Sequence, residues 1–301
     1  MLLNKESAVM KCLQDSLGDP EYCDVKIVAF DGELSVSKFL LCIRSHYFRA
    51  MFSEDNNFSE NQTGRVKMPY SKAVLEKLII YLYSGKMNCE EMTLASLLDL
   101  LDLLNLTSYP EEFVAVESYT IKKIRNLSFS LSDCLMSLEH CYRLKLETVE
   151  STLLTRLGGA IPSIIPSESE AWGALSGDML GRLLQERRED QSMTIYRFRT
   201  LVIWLSVNSE TNKKDELLKM IDFDHFNIQD LATDVRKSGL YETDRIIERM
   251  AELHQTEISE FETDIQIIKN STNGPYDPVY DDYLPWNQYV PRSIQQKYDY
   301  L

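Results

Sequence analysis

Long apolar runs are missing from this 301-residue sequence. The longest, near Leu201 to Leu205, is far shorter than the roughly 18 residues that a membrane helix needs. The first ten residues include Lys5 and Glu6 and lack the apolar core of a signal peptide. We therefore expect no membrane partner and no secretion, and we predict a cytoplasmic or nuclear location.

Motifs of catalysis and cofactor binding are also missing. The sequence contains no phosphate-binding loop, no Gly-x-Gly-x-x-Gly turn, no His-Glu-x-x-His and no Gly-x-Ser-x-Gly elbow. Its four histidines are spread along the chain, and no local motif marks one of them as the base of a nucleophile. We expect no catalytic residue and no cofactor, because an enzyme would need convergent titratable groups that the sequence does not indicate.

Basic charge is scarce. The chain has 32 Lys and Arg against 47 Asp and Glu, a net charge of −15, which repels phosphate backbones unless a local basic patch exists. Lys122, Lys123 and Arg125 are the nearest to such a patch, but they lie in a helical pattern beside Glu117, as on a solvated face. We predict no nucleic-acid partner.

The six cysteines include no Cys-x-x-Cys pair. Cys134, His140 and Cys141 are the strongest metal candidates, yet on a helix His140 points about 100° away from Cys141, and no fourth ligand lies nearby. We therefore predict that these cysteines pack in the core and that the chain holds no metal.

What the chain does have is enough apolar material for two domains: 44% hydrophobic residues, with three Trp, eleven Phe and sixteen Tyr. The first domain is predicted to be α+β, a small sheet with packed helices. Its predicted elements are a helix with the stripe Met10, Leu13 and Leu17, a hairpin around Asp31-Gly32, a buried helix Lys38 to Phe52, a helix from Ser71 to Gly85, and a helix Met92 to Leu104.

Beyond Tyr109-Pro110 the strand patterns end, and an all-α region is predicted to about His254. The predicted helices are Glu111 to Asn126, Leu131 to Leu146, Val149 to Leu157, Leu175 to Glu186 and Ile195 to Val207.

The order of several segments resembles the BTB/POZ domain. They are Asp24 to Ile27, Ser45 to Phe52, Val66 to Pro69 and Tyr81 to Gly85. The resemblance implies a binding module that forms homodimers. The chain departs from the family at Ser37, where these domains commonly carry His, so that the buried-type Asp24 needs another hydrogen-bond donor.

In the resemblance, the helix with Met10, Leu13 and Leu17 pairs with its counterpart in a two-fold dimer. The alternative is that this stripe packs on its own domain. We favour the dimer.

The loop between Phe52 and Arg65 contains Phe58-Ser59-Glu60, which resembles the hydrophobic-x-Glu element through which some BTB domains bind cullin-3. We predict Phe58 and Glu60 as the cullin-binding residues, since an exposed aromatic side chain is a typical interface anchor. The alternative is that Phe58 folds back on its own domain.

Segments of the helical region resemble the BACK domain that follows BTB in many ligase adaptors. These are Ser128 to Leu131, Leu180 to Leu184, Ile203 to Leu205 and Val235 to Leu240. The predicted division is a BTB/POZ domain at 1–108, a BACK-like domain at 109–255, and the end of a helix with an extended tail at 256–301. Kelch repeats, zinc fingers and a MATH domain have no counterpart.

The last 31 residues combine four prolines with six tyrosines and Trp286. Proline prevents a long helix, while disordered tails are poor in aromatics, so we predict a docking segment. Its candidate contact residues are Tyr280, Tyr283, Trp286 and Tyr289. The segment docks either on its own chain or on another protein.

The leading hypothesis is a non-catalytic, homodimeric adaptor that connects a cullin-3 ubiquitin ligase to a client protein held by the BACK domain and tail. The alternative is a dimeric BTB-BACK scaffold without a ligase role. The sequence identifies neither the client nor the biological process.

Overall fold

The computed structural model describes residues 11–13, 15–53, 62–164, 169–186, 189–208 and 212–272. They form two compact units, one from the described residues of 1–189 and 203–220, the other from those of 190–202 and 221–272. None of the helices in this part of the chain combines the length and apolar character needed to cross a bilayer.

The first unit begins with an α+β region, as predicted. Residues 11–13 and 15 are helical. The elements that follow are β1 (Val25–Val28), β2 (Glu33–Val36), α1 (Lys38–Arg44), α2 (His46–Met51), β3 (Arg65–Lys67), α3 (Lys72–Ser84) and α4 (Leu94–Leu106).

The three strands form one sheet in the order β2-β1-β3. Strand β1 is antiparallel to β2 and parallel to β3, so that Ile27 lies opposite Leu34 on one side and Val66 on the other. The predicted hairpin around Asp31-Gly32 is confirmed, but Gly32 has no positive φ. Instead, Asp31 Oδ1 accepts a hydrogen bond from the Lys72 backbone N–H at 2.6 Å and links the turn to α3.

The predicted single helix from Lys38 to Phe52 is wrong, because the chain breaks at Ser45. Ser45 is extended, with φ −134° and ψ 124°, and its side chain accepts from the Phe48 N–H to cap α2. Helix α3 has the predicted ends: the Ser71 side chain accepts from the Val74 N–H, and Gly85 takes a left-handed φ of 68°.

The rest of the first unit is helical. It contains α5 (Pro110–Arg125), α6 (Leu131–Arg143), α7 (Glu147–Ile164), α8 (Ser169–Gly173), α9 (Gly177–Gln185), the end of α10 (Thr194–Val207) and α11 (Lys214–Leu218). Helix α4 packs against α5 and α6, and α6 packs against α7. Leu94 and the six leucines of α4 from Leu97 to Leu104 are buried in the core.

Three successive helices end on left-handed residues that are not glycine. Ser108, Leu127 and Lys145 have φ values of 61°, 57° and 57°, and they follow α4, α5 and α6. After each of them the chain closes back on the helix, with Tyr109 N–H donating to Leu104 O at 2.9 Å and Ser128 N–H to Lys123 O at 3.0 Å. For this reason α6 ends at Arg143 rather than at the predicted Leu146.

The second unit is built on an aromatic cluster. Phe198, Phe223, Phe226 and Tyr241 contact one another with ring centroids 4.7 to 6.4 Å apart. Around the cluster lie the first part of α10, a 3-10 turn Phe223–His225, α12 (Ile228–Asp230), a π-helical segment Leu231–Val235, α13 (Arg236–Ser238) and the 30-residue α14 (Thr243–Thr272).

Candidate partner-binding surfaces

The predicted dimer stripe lies only partly within the described residues. Leu13 and Leu17 are half-buried, and Met10 lies outside the described residues. Beside Leu13 there is an open groove of about 570 Å³, lined in part by Tyr22 and Phe39. The structure thus brings Leu13 together with two aromatic residues that the sequence analysis did not select.

We define the α1 face as Leu13, Tyr22, Phe39 and Ile43. Tyr22, Phe39 and Ile43 are 56%, 69% and 53% exposed. Phe39 and Ile43 are four residues apart and share one side of α1. The predicted burial of the helix from Lys38 to Phe52 does not hold at Ile43, because the inward side of α1 is occupied by Leu41, which is fully buried.

Two side chains fix the first turn of α1 and so aim Phe39 outward. Asp24 Oδ1 accepts a hydrogen bond from the Lys38 backbone N–H at 2.7 Å. The Tyr83 hydroxyl accepts from the Ser37 N–H at 2.8 Å. Asp24 is exposed rather than buried, so the expectation of a buried carboxylate is wrong, and its donor is a backbone amide of the helix that follows.

Acidic residues line the groove beside the α1 face, and basic residues lie next to its lining residues in the sequence. Asp15 and Asp19 line the groove, while Lys11 and Lys38 adjoin lining residues in the sequence. A contiguous apolar patch with such a rim is typical of a protein interface. The arrangement is suited to binding a protein surface rather than to chemistry.

The predicted cullin-binding residues Phe58 and Glu60 lie outside the described residues. In the sequence they lie between α2 and β3. At one end Phe52 is buried at 4% exposure, with Lys38 Nζ 5.1 Å from its ring centroid. At the other end Arg65 pairs with Glu33, and this pair lowers the pKa of the Glu33 carboxyl, mainly through the Arg65 hydrogen bond.

A second groove, of about 620 Å³, lies between the turn after α3 and the first half of α5. Tyr81 donates from its hydroxyl to Glu112 in this groove, and Tyr119 donates to Cys89 O at 3.4 Å. Burial, and next the bond to Glu112, raise the pKa of Tyr81 to about 12. No sequence motif marks this groove, because its residues come from separate elements.

The metal candidates Cys134 and Cys141 are fully buried in α6, in line with the prediction of core packing. Burial raises the pKa of Cys134 to about 11 and that of Cys141 to about 12. His140 instead faces Asp99 of α4, with Nε2 3.0 Å from Oδ1. Among the residues that the structure describes, no group of three or more possible ligands is placed to hold a metal.

The predicted tail contacts Tyr280, Tyr283, Trp286 and Tyr289 also lie outside the described residues. The described chain ends with α14 at Thr272.

Comparison with known proteins identifies the amino-terminal region. Residues 13–115 match the family model of the BTB/POZ domain. The match covers the three-stranded sheet, every residue of the α1 face, and the helices through the start of α5.

Curated relatives share part of the chain. BTB/POZ domain-containing protein 9 of Drosophila melanogaster is 21% identical over 232 residues, 77% of this chain and 31% of the relative. Human Kelch-like protein 5 is 31% identical over 110 residues, 36% of this chain and 14% of the relative. Human Kelch-like protein 4 is 28% identical over 106 residues, 35% of this chain and 15% of the relative. The chain thus spans about a third or less of the length of these relatives.

Among solved structures, the chain is similar to the BTB (Tramtrack and Bric a brac) domain of human Gigaxonin. The identity is 18% and the TM-score 0.31, over 40% of this chain and 95% of that one.

Proposed function

We propose, from the premise that this chain carries a BTB/POZ domain, that it is a homodimeric adaptor which connects a cullin-3 RING ubiquitin ligase to a client protein. The adaptor itself performs no chemistry. It raises the effective concentration of the client beside the subunits that transfer ubiquitin.

The family match at residues 13–115 is the observation that carries this proposal. Within it, the segment Phe58-Ser59-Glu60 stands in the connection from α2 to β3, where the resemblance puts the cullin-binding element. An aromatic side chain followed by a carboxylate is suited to filling a pocket and pairing with a cation at its edge.

Self-association is proposed to use the α1 face together with Met10 and Leu17. Phe39 and Tyr22 leave most of their side chains exposed next to Leu13, and a second copy would remove this apolar surface from water. A two-fold contact suits the face, because Asp15 and Asp19 of one copy could then meet Lys11 and Lys38 of the other across the axis.

Client binding is proposed for the region that follows, with BTB at 1–108, a BACK-like domain at 109–255 and the helix end and tail at 256–301. The similarity to the Drosophila relative extends over 232 residues, well beyond the BTB match, and supports a shared helical region. We further propose that the protein acts in the cytoplasm or the nucleus, where cullin ligases would meet it.

The test is a calorimetric titration of the purified full chain with the amino-terminal domain of cullin-3. Phe58→Ala is expected to weaken binding about thirtyfold, because loss of an interface aromatic costs about 2 kcal/mol or more. Glu60→Ala is expected to have a smaller effect, since a rim charge is screened by solvent.

Phe30→Ala is the matched control, because Phe30 is an aromatic residue on another loop of the same domain and is 73% exposed. Melting curves establish that each variant is folded. If the wild type does not bind, or if folded Phe58→Ala binds as well as Phe30→Ala, the proposal fails and the scaffold without a ligase role takes its place.

A further inference from the structure

Helix α14 presents two different apolar stripes. The first consists of Ile246, which is 2% exposed, with the half-buried Met250 and Leu253. This part of α14 packs on the π-helical segment Leu231–Val235 and on α12. It is the side by which the helix is attached to its own unit.

The second stripe, the outer stripe, lies about 100° further round the helix. It consists of Ile247, Ala251, His254, Ile258 and Phe261, which are all exposed, with Ile247 58%, Ile258 41% and Phe261 51%. The steps between them alternate between four and three residues. In the sequence the same spacing continues at Ile265 and Ile268, within the bounds of α14.

A four-three spacing over three heptads is the pattern by which one helix pairs with another. At 1.5 Å per residue, the part from Ile247 to Asp264 is about 26 Å long. A helix that served only its own unit would need the first stripe alone. The outer stripe is therefore suited to a partner helix.

The charges beside the outer stripe disfavour a second copy as the partner. Residues 251–268 contain five acidic side chains and neither Lys nor Arg. Glu257 precedes the stripe residue Ile258, and Glu262 follows Phe261, so acidic groups occupy the positions that face the partner's flanks. Two such helices side by side would bring like charges together.

The chain's own residues 273–301 do not fit either. They include four Asp against one Arg and one Lys, and thus carry net negative charge. Their four prolines also exclude an uninterrupted helix of the required length.

We propose that the outer stripe of α14 binds a basic amphipathic helix of a partner protein. Apolar residues of that helix cover Ile247 and Ile258, and its Lys or Arg side chains lie beside Glu257 and Glu262. Two contacts hold the first turns of α14 in place. The Arg245 guanidinium stacks 4.3 Å from the Phe223 ring centroid, and Arg249 Nη2 donates to Asp224 O at 2.7 Å. The inference goes beyond the adaptor proposal and stands without it.

The probe for the test is a labelled synthetic peptide of about four heptads with Ile at the core positions and Lys at the flanking positions. A sister peptide has Glu at the flanking positions. Fluorescence anisotropy with the full chain is expected to show binding of the Lys peptide and at least about tenfold weaker binding of the Glu peptide. Higher salt should weaken the Lys complex, because exposed charge pairs are screened.

Variants of the full chain locate the binding surface. Ile247→Asp combined with Ile258→Asp should lower the affinity for the Lys peptide at least about tenfold. Thr256→Asp is the control for each single substitution, because it adds one Asp on the opposite side of the helix and should change the affinity less than about twofold. Glu257→Lys with Glu262→Lys should reverse the preference, so that the Glu peptide binds more tightly.

Several results would overturn the proposal. Equal binding of the two peptides would show that charge does not determine the partner. Undiminished binding by a folded Ile247→Asp, Ile258→Asp variant would show that the outer stripe is not the binding surface. If the Lys peptide binds only after residues 273–301 are deleted, the chain's own tail is the occupant. If Ile258→Asp dissociates a wild-type oligomer and no peptide binds, the occupant is a second copy.

Discussion

The α1 face and the outer stripe of α14 are both exposed and apolar, yet they differ in charge and in support. Asp15 and Asp19 line the groove beside the α1 face, and Lys11 and Lys38 are the sequence neighbours of its lining residues Cys12 and Phe39. From residue 251 to 268 the outer stripe has Asp and Glu neighbours but neither Lys nor Arg. Phe39 and Ile43 of the α1 face are on a seven-residue helix held at its first turn, whereas the outer stripe is on a 30-residue helix attached through its first turns.

The difference shows that the rim of an apolar surface, rather than its core, indicates the kind of partner. Mixed charge allows two identical copies to pair, because opposite charges can meet across a two-fold axis. Charge of one sign penalises such pairing and favours a partner of the opposite sign. The two surfaces of this chain are therefore expected to bind different partners.

The largest expected effect comes from removing the support of α14. Phe223 is 6% exposed and contacts Phe226, Tyr241 and Arg245. Phe223→Ala should cost about 3 to 5 kcal/mol, since it leaves a cavity in the aromatic cluster. Hydrogen exchange should show faster opening of α14, with little change in α1. Equal protection of α14 in the variant and the wild type would contradict the view that this cluster supports the outer stripe.

The next largest effect concerns the α1 face. Leu13→Asp or Phe39→Asp should weaken self-association by about 2 kcal/mol or more, roughly thirtyfold, because a charge would be buried in an apolar contact. Sedimentation velocity over a range of concentrations measures the change.

Met136→Asp is the control for this prediction, because Met136 is 50% exposed on α6 and lies outside the α1 face. It should leave self-association unchanged. A wild-type protein that is monomeric at micromolar concentration would refute the proposed dimer.

The smallest effect is expected at Tyr241, whose ring packs against Phe223. Its hydroxyl is buried and has no hydrogen-bond partner within the described ranges, and burial raises its pKa to about 12. Tyr241→Phe should leave stability unchanged or raise it by up to about 1 kcal/mol. Tyr70→Phe is the contrast, since the Tyr70 hydroxyl donates to Asp102 at 2.7 Å and its loss should cost about 1 kcal/mol or more. Urea unfolding measures the change in the free energy of unfolding for both variants. A larger loss of stability for Tyr241→Phe than for Tyr70→Phe would contradict the view that the Tyr241 hydroxyl has no hydrogen-bond partner among the described residues.

The parts of the fold that depend on local chemistry were predictable from the sequence. Ser71 and Gly85 mark the ends of α3, because a side-chain cap and a left-handed glycine are visible as residue types. The break at Ser45 was not predicted, since the apolar spacing continues across it and only the backbone shows the extended residue.

The candidate surfaces were less predictable. Leu13 was selected from its stripe. Phe39 and Ile43 were not selected, because the helix from Lys38 to Phe52 that contains them was predicted to be buried. Helical spacing identifies an apolar side but does not tell whether another element of the same chain covers it. Tyr81 and Glu112 meet across 31 residues of sequence, a distance at which no local pattern could connect them.

The glycine-free helix ends at Ser108, Leu127 and Lys145 have a mechanical consequence. Each connection from α4 to α7 is only three to five residues long and contains no glycine. A residue with a Cβ atom has only a small allowed region of φ and ψ in the left-handed conformation, whereas glycine has a wide one. These three connections therefore have little conformational freedom. The segment from Leu94 to Ile164 should therefore behave as a stiff spacer, which keeps whatever is bound at its two ends at a fixed separation.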